Sequence, residues 1–472
     1  MSDQGPVPKT LGAQGKLKAG TLLAFSAVGL PVGALTTPLL VYLPNYYAGV
    51  IGVSLGMVGL IFMIVKLLDL VFDPILGMVM DRTRTRVGRY RFWLLAGAPI
   101  LMLGVYMLFQ AEPGAGWGYL LGWLTFFYVG LSMLVLSQSA WAGTLAKQYS
   151  DRSNIFAGLA ATGVVAAVIV LLGPRFAKVP DIEMVPFMGW MILASIPLGV
   201  AITAIFVREP VAAQRALHDR LHLGELPALI GHRSMLRLLA TDLLLTLGPG
   251  FTSPLYLFFF KGARGYSDTE AAGLLVLYIV AGVIAAPIWA FVSNRLQKHR
   301  TLLLAALLYS FAQAMIVFIP PHSMGIMSVG MFLAGGIAAA FGFLIRAMVA
   351  DVADEIRLET GKERIGLLYA LISSTVKIGT ASAVVTLPLL GLFGFNPRPD
   401  AVNTPEAMSA LVWTYIVLPV VAVALGGLVM LTYKLDRQRH AEIRAALDAR
   451  DAESHPDDET AIDALAAQPV VT

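Results

Sequence analysis

Long apolar runs, separated by short polar clusters, fill almost the whole chain. A helix needs about 20 predominantly apolar residues to cross the hydrocarbon core of a bilayer. Twelve runs meet that length, at approximately 20–47, 54–80, 91–110, 117–146, 153–173, 185–207, 235–260, 269–293, 301–319, 324–347, 365–394 and 408–433. They are continuous rather than the ~10-residue alternations of a membrane β-barrel. The pattern therefore predicts an all-α membrane protein with twelve transmembrane helices.

Composition sharpens this picture. Of 472 residues, 57% are hydrophobic and only 14% charged, where a soluble domain carries roughly 25% charged residues. The 45 glycines and 26 prolines suit transmembrane helices, in which both are commoner than in soluble ones. With no cysteine, disulfides, thiol catalysis and thiolate metal sites are excluded. The polar first 18 residues hold no apolar stretch behind a basic start, so they do not read as a signal peptide. An amino terminus inside the cell then places twenty-six of the 34 Lys and Arg residues on the cytoplasmic side and five outside. Lys66, Arg346 and Lys377 fall within or at the edge of spans. That bias fits an even number of spans with both termini cytoplasmic in a cell (inner) membrane.

The longest polar interior stretch divides the chain. The expected organisation is a cytoplasmic segment 1–19, a six-helix bundle 20–207, a central cytoplasmic loop 208–234, a second six-helix bundle 235–433 and a partly disordered tail 434–472. The two halves look related: Pro74–Arg82 aligns with Pro287–Arg295, 213 residues later, at the end of the second span of each half. Parallel six-helix repeats build one large class of secondary transporters.

Charges inside spans are expensive unless paired or facing water, and so mark function. Lys66, Asp69 and Asp73 in the second span are spaced by three and four residues, which puts them on one helical face. Pro74 follows and leaves the carbonyl of Leu70 without its helical partner. The result is a group of oxygens suited to a hard cation such as Na+, or to a shared proton. Lys377, midway along the eleventh span, could balance the residual charge. Its alternative is to snorkel to a surface, and that of Lys66 is a plain ion pair with Asp69. Two charged clusters at cytoplasmic ends, Asp81, Arg82 and Arg89 after the second span and Asp351, Asp354 and Arg364 around the tenth, are candidate gating latches. A solvated face is the plainer reading.

Other classes find little support. No nucleotide-binding G-x-x-x-x-G-K-[ST] or H-E-x-x-H motif occurs. His218 and His222 have helical spacing but lie in a polar loop. No enzyme activity, cofactor or nucleic-acid partner is expected. The expected partners are a small-molecule solute, the lipid bilayer and a coupling ion, with the chain acting as a monomer. A transport-inactive receptor or structural membrane protein would lose the buried acids, which are retained here.

The run Asp69-x3-Asp73-Pro74-x2-Gly77-x3-Asp81-Arg82-Thr83, continuing to Gly88-Arg89-x-Arg91, resembles the signature of the glycoside–pentoside–hexuronide:cation symporters. These form the melibiose-permease branch of the major facilitator superfamily. So does Ala350-Asp351-x2-Asp354, followed by Thr360-Gly361-x2-Arg364-x-Gly366 and Lys377. The resemblance implies that Asp69 and Asp73 hold the cation, that Lys66 stands beside them, that Lys377 faces them, and that Trp141 lies near the solute. The pattern also departs from the family: Pro31 and Ser137 stand where disaccharide carriers have acids, and Asn154 where an arginine is expected. The cation machinery is kept and the sugar anchors are not. Gln138, Ser139, Asn45, Tyr46 and Tyr47 are the remaining cavity candidates, although aromatic residues at span ends commonly anchor the interface. The resulting expectation is a Na+- or H+-coupled transporter importing a sugar-like solute by alternating access; a lysolipid or an organic acid is the alternative cargo.

Overall fold

The computed structural model describes residues 18–145, 149–209, 226–362, 364–398 and 401–454. The segment 1–17, most of the central stretch and the end of the acidic tail, expected to be loop or disordered, lie outside the described residues. Twelve described helices are long and apolar enough to cross a membrane: α1 Ala19–Ile51, α2 Leu55–Met80, α3 Arg89–Phe109, α4 Trp117–Leu145, α5 Asn154–Phe176, α6 Asp181–Phe206, α7 Arg233–Ala263, α8 Asp268–Leu296, α9 Lys298–Phe318, α10 Met324–Thr360, α11 Leu367–Leu392 and α12 Pro405–Thr432. A further helix, α13 (Arg437–Ser454), follows them. Away from their end turns and their prolines, helices satisfy the backbone groups internally, which a bilayer demands.

All twelve apolar runs became helices, and the differences lie at their ends. The acidic stretch 350–360, expected as a loop, continues α10 for three more turns until Gly361, whose φ of 73° closes the helix. Its Ala, Leu, Glu and Arg residues are good helix formers, so the helix outruns its apolar portion. Prolines shape the others. Pro38 opens a wider π-helical turn over Pro38–Tyr42, and a second covers Tyr47–Ile51, bending the far half of α1. Helix α11 breaks at Ala381–Ser382 into Ile365–Thr380 and Ala383–Leu392. Pro74 and Pro287, aligned by the internal repeat, both sit inside helices that end eight or nine residues later, at Arg82 and Leu296.

An even number of spans puts both described ends of the chain at one end of the bundle, here the proximal end. Buried side chains form one large cluster through most of the first six-helix bundle and the distal parts of the second, while the proximal part of the second keeps a separate one and a small third surrounds Leu76, Met80 and Met133 of the first. The bundles therefore share a core distally. Gly59 of α2 makes a close approach there: a Cβ at that position would stand 2.8 Å from the Ala383 carbonyl and 3.3 Å from Pro388 Cδ of α11. Gly59→Val is thus expected to hold the distal ends apart. Spin labels on the distal ends of α2 and α11 should report a longer distance in the variant, and an unchanged distance would show that this contact does not set the closure.

A separate tie organises the proximal end. Gly88, at φ 116°, brings the chain into α3, and the Glu209 carboxylate after α6 accepts from the first-turn N–H groups of Tyr90 (3.1 and 3.2 Å) and Arg91 (3.2 Å). These donors have no partner inside the helix, and a carboxylate there also meets the positive end of the helix dipole. Glu209→Ala should lower stability by about 1–2 kcal/mol, read as a reduced thermal midpoint, with faster amide exchange confined to the start of α3.

Candidate functional site

Midway along α2, Lys66, Asp69 and Asp73 form the expected single stripe, but its partners come from two other helices. Asp69 is buried; its Oδ1 accepts 2.6 Å from Ser132 Oγ of α4, and its Oδ2 lies 2.8 Å from Lys377 Nζ of α11. The same ammonium also bonds Asp73 Oδ2. One lysine of the second bundle thus bridges both acids of the first. Asp73 Oδ1 is enclosed yet has no hydrogen-bond partner.

The break in α11 explains why Lys377 sits there. It lies in the last turn before Ala381, whose N–H reaches back to the Lys377 carbonyl at 3.1 Å. The negative end of that half-helix favours a cation at its terminus. The ammonium is neither sealed nor free: Lys377 keeps 19% of its side-chain surface and Asp73 22%, against 6% for Asp69. Lys66 takes a different position from the ion pair considered for it. Its ammonium stands 4.8 Å from the centroid of the Tyr128 ring, and it acts on Asp69 and Asp73 only through space. Two lysines and two aspartates leave the cluster neutral. An incoming cation therefore has a carboxylate oxygen waiting at Asp73 and must compete with Lys377 for the rest.

The other sequence-derived residues are dispersed. Asp351 pairs with Lys298 at 2.7 Å and with His440 of α13 at 3.6 Å; Asp354 pairs with His440 at 3.0 Å and Arg444 at 3.5 Å. These ties join α9, α10 and α13 within one bundle. Arg364 occupies the residue before the first turn of α11 without a side-chain capping hydrogen bond, Arg82 is exposed, and Arg89 stacks on the Tyr90 ring at 4.7 Å. The Asp81 side chain lies outside the described residues. Trp141 is fully enclosed, edge-on to Phe25 at 5.6 Å, with Gln138 buried on the same helix. Tyr46 and Tyr47 donate to the Ala111 and Leu108 carbonyls at 2.7 and 3.2 Å, tying α1 to the end of α3, and Asn45 is half-buried between turns of α1. Among the described residues, His232, Glu355 and Glu359 also have metal-ligand chemistry, with atoms within 4.8 Å of one another. His232 is already paired with Glu359 at 3.2 Å.

Two participants escaped the sequence reading. Ser132 is one hydroxyl among several in the fourth span, and nothing in the sequence singles it out. Asp242, buried in α7 and bonded by Thr375 Oγ1 of α11, is an acid within an apolar run, and that alone was the available signal.

Residues 24–437 match the family described as MFS/sugar transport protein. The chain belongs to that family. Relatives of this MFS/sugar transport protein include a glucuronide carrier protein homolog of Escherichia coli (strain K12), 25% identical over 422 residues, covering 87% of this chain and 91% of the relative. The isoprimeverose transporter of Lactiplantibacillus pentosus is 24% identical over 436 residues, covering 86% and 89%. An uncharacterized symporter of Bacillus subtilis (strain 168) is 25% identical over 432 residues, covering 87% and 90%. Among solved structures, the nucleoside transporter NupG superposes with a TM-score of 0.64 at 13% identity, covering 88% of this chain and 98% of that one. A variant of the E. coli fucose:proton symporter FucP gives 0.51 at 13% identity, covering 88% and 98%. The protein is thus a secondary transporter with the major facilitator fold, not an enzyme, and the resemblance read from its motifs holds. Its departures from the disaccharide carriers are also visible in the fold. Pro31 is buried in α1, the Ser137 hydroxyl is taken up by the Met133 and Leu134 carbonyls of its own helix, and Asn154 is exposed.

Proposed function

We propose that this transporter imports a small solute, a glycoside or a related compound, by alternating access coupled to Na+ or H+. It does so as a monomer in the cell membrane with both termini cytoplasmic. The observation that carries the reading is Lys377 of one bundle held between Asp69 and Asp73 of the other. A cation arriving at Asp73 Oδ1 weakens the hold of Lys377 on the acids, and with it an attachment between the bundles. Loading the ion and freeing the bundles to rock become one event. Without the ion, moving the carboxylates away from Lys377 would leave charge uncompensated in a poorly solvated interior, which is strongly unfavourable. The neutral cluster also accounts for why neither ion nor solute should move well alone.

Several observations support this. Relatives named as symporters and sugar carriers match along most of their length. The excess of basic residues at the proximal end favours a cytoplasmic location for that end. The deciding experiment is uptake into proteoliposomes over a panel of glycosides, lysolipids and organic acids, with sodium and pH gradients imposed separately. Accumulation above equilibrium under one gradient is expected, and uptake indifferent to both would refute coupling.

A further inference from the structure

The membrane-spanning portions of the described helices carry six charged residues away from their ends: the cations Lys66, Arg346 and Lys377 and the anions Asp69, Asp73 and Asp242. They cancel. Lys377 holds two of the acids and Lys66 lies on an aromatic ring. Arg346 of α10 is different: it is exposed, and among the described residues its guanidinium has no hydrogen bond or ion pair. The acid it acts on through space is Asp242, whose carboxylate is engaged by Thr375.

A chamber begins one helical turn from Arg346 along α10. Within the second bundle a cavity of about 340 Å³ is walled by Thr246 and Pro249 of α7, Tyr278 of α8, Tyr309 of α9, and Phe341 and Gly342 of α10. It shares Pro249, Tyr278 and Tyr309 with a smaller cavity of about 70 Å³ that reaches Val41 of the first bundle. The chamber thus lies beneath the distal closure, against the plane between the bundles. Arg346 is one helical turn beyond Gly342, and Asp242 one turn before Thr246, both on the chamber's face and toward the proximal end. No charged side chain lines the chamber itself, and its hydroxyls are those of Thr246, Tyr278 and Tyr309. A body with many hydroxyls would leave most of them unpaired there, whereas a ring or short chain with one or two polar groups fits the volume and the wall.

We infer that this chamber and Arg346 form a solute subsite for an amphipathic monoanion, with the apolar body in the chamber and a carboxylate on the guanidinium. The inference rests on the cation-coupled reading for its charge balance. A cation bound at Asp73 adds one positive charge to a neutral interior, and the solute's carboxylate restores neutrality before the bundles move. It keeps the coupling and departs from that reading in the cargo, selecting the organic acid over the neutral glycoside.

The test uses the full-length protein in lipid nanodiscs and two probes differing only in charge, 4-phenylbutyrate and 4-phenylbutyramide, with phenyl β-D-glucoside as the neutral sugar. Binding is read from the shift in thermal midpoint. The acid should half-saturate at a concentration at least about tenfold lower than the amide, as a charge-assisted contact implies. Arg346→Gln should erase that difference and Arg346→Lys keep part of it. Gly342→Leu should weaken acid and amide alike, because a side chain there enters open space and fills the chamber. Equal binding of acid and amide, absence of binding by both, preference for the glucoside, or an undiminished acid preference in Arg346→Gln would each overturn the inference. Sodium and proton titrations without any organic probe, read as the difference between wild type and Asp73→Asn, report the Asp69–Asp73 site. If that response is missing while the acid still depends on Arg346, the coupling reading fails and the subsite stands. The opposite pattern removes the subsite and leaves the coupling in place.

Discussion

Asp73→Asn should reduce solute accumulation to simple equilibration across the membrane while the protein still folds and inserts. The amide keeps the shape and one acceptor oxygen of the carboxylate, and Asp69 still holds Lys377 at 2.8 Å, so the tie between the bundles survives in weakened form. What disappears is the charge at the oxygen that has no partner in the protein. A charge-assisted contact contributes about 1.5–3 kcal/mol, which corresponds to roughly 10- to 100-fold in apparent cation affinity. Equilibrium exchange of solute, which needs no net cation flux, should suffer less than gradient-driven uptake. The measurement is paired: accumulation under an imposed gradient, and exchange with none, in the same proteoliposomes. Accumulation equal to wild type would remove Asp73 from the coupling site.

Replacing Lys377 has the second large effect, with opposite consequences for ion binding and for stability. Lys377→Met leaves two largely buried carboxylates facing each other with only the distant Lys66 to offset them. Breaking a buried pair in this way costs about 3–5 kcal/mol, here toward the lower end because Asp73 and Lys377 each retain about a fifth of their exposure. The thermal midpoint without added cation should therefore fall. A cation that no longer competes with an ammonium should bind more tightly and restore much of the loss, so the variant's stability should depend on the coupling ion far more steeply than the wild type's. Transport should nevertheless stall, since ion release would again expose the unpaired acids. Combining Lys377→Met with Asp73→Asn should recover stability beyond the sum of the single effects, as expected for contacting charges. Additive losses in that cycle would mean that Lys377 does not act through these acids.

The two variants also address a tension within the site. Both acids rest against a basic neighbour, and a permanently sealed cluster of this kind would be structural only. The unpartnered Asp73 oxygen and the partial exposure of Lys377 argue for a site that is occupied by competition. The dependence of stability on the cation measures that competition directly.

The amino-acid order alone determined the twelve spans, because a bilayer leaves a long apolar run no option except a helix. It also determined the even topology, through the distribution of Lys and Arg, and the stripe of Lys66, Asp69 and Asp73, because helical spacing is local geometry. It even placed Lys377 opposite that stripe, though only by resemblance to a family. It did not determine which cation would take the acids. That depended on the break at Ala381–Ser382, which ends a half-helix beside α2, and on Tyr128 lying where it could receive Lys66. Asp351 and Asp354, read as latches, were claimed by Lys298, His440 and Arg444, since α10 outran the apolar part of its sequence and met α13. Ser132, Asp242 and the chamber near Arg346 were invisible for the same reason. Each is made by residues dozens to hundreds of positions apart, and hydropathy along one chain carries no information about which helices become neighbours across a bundle.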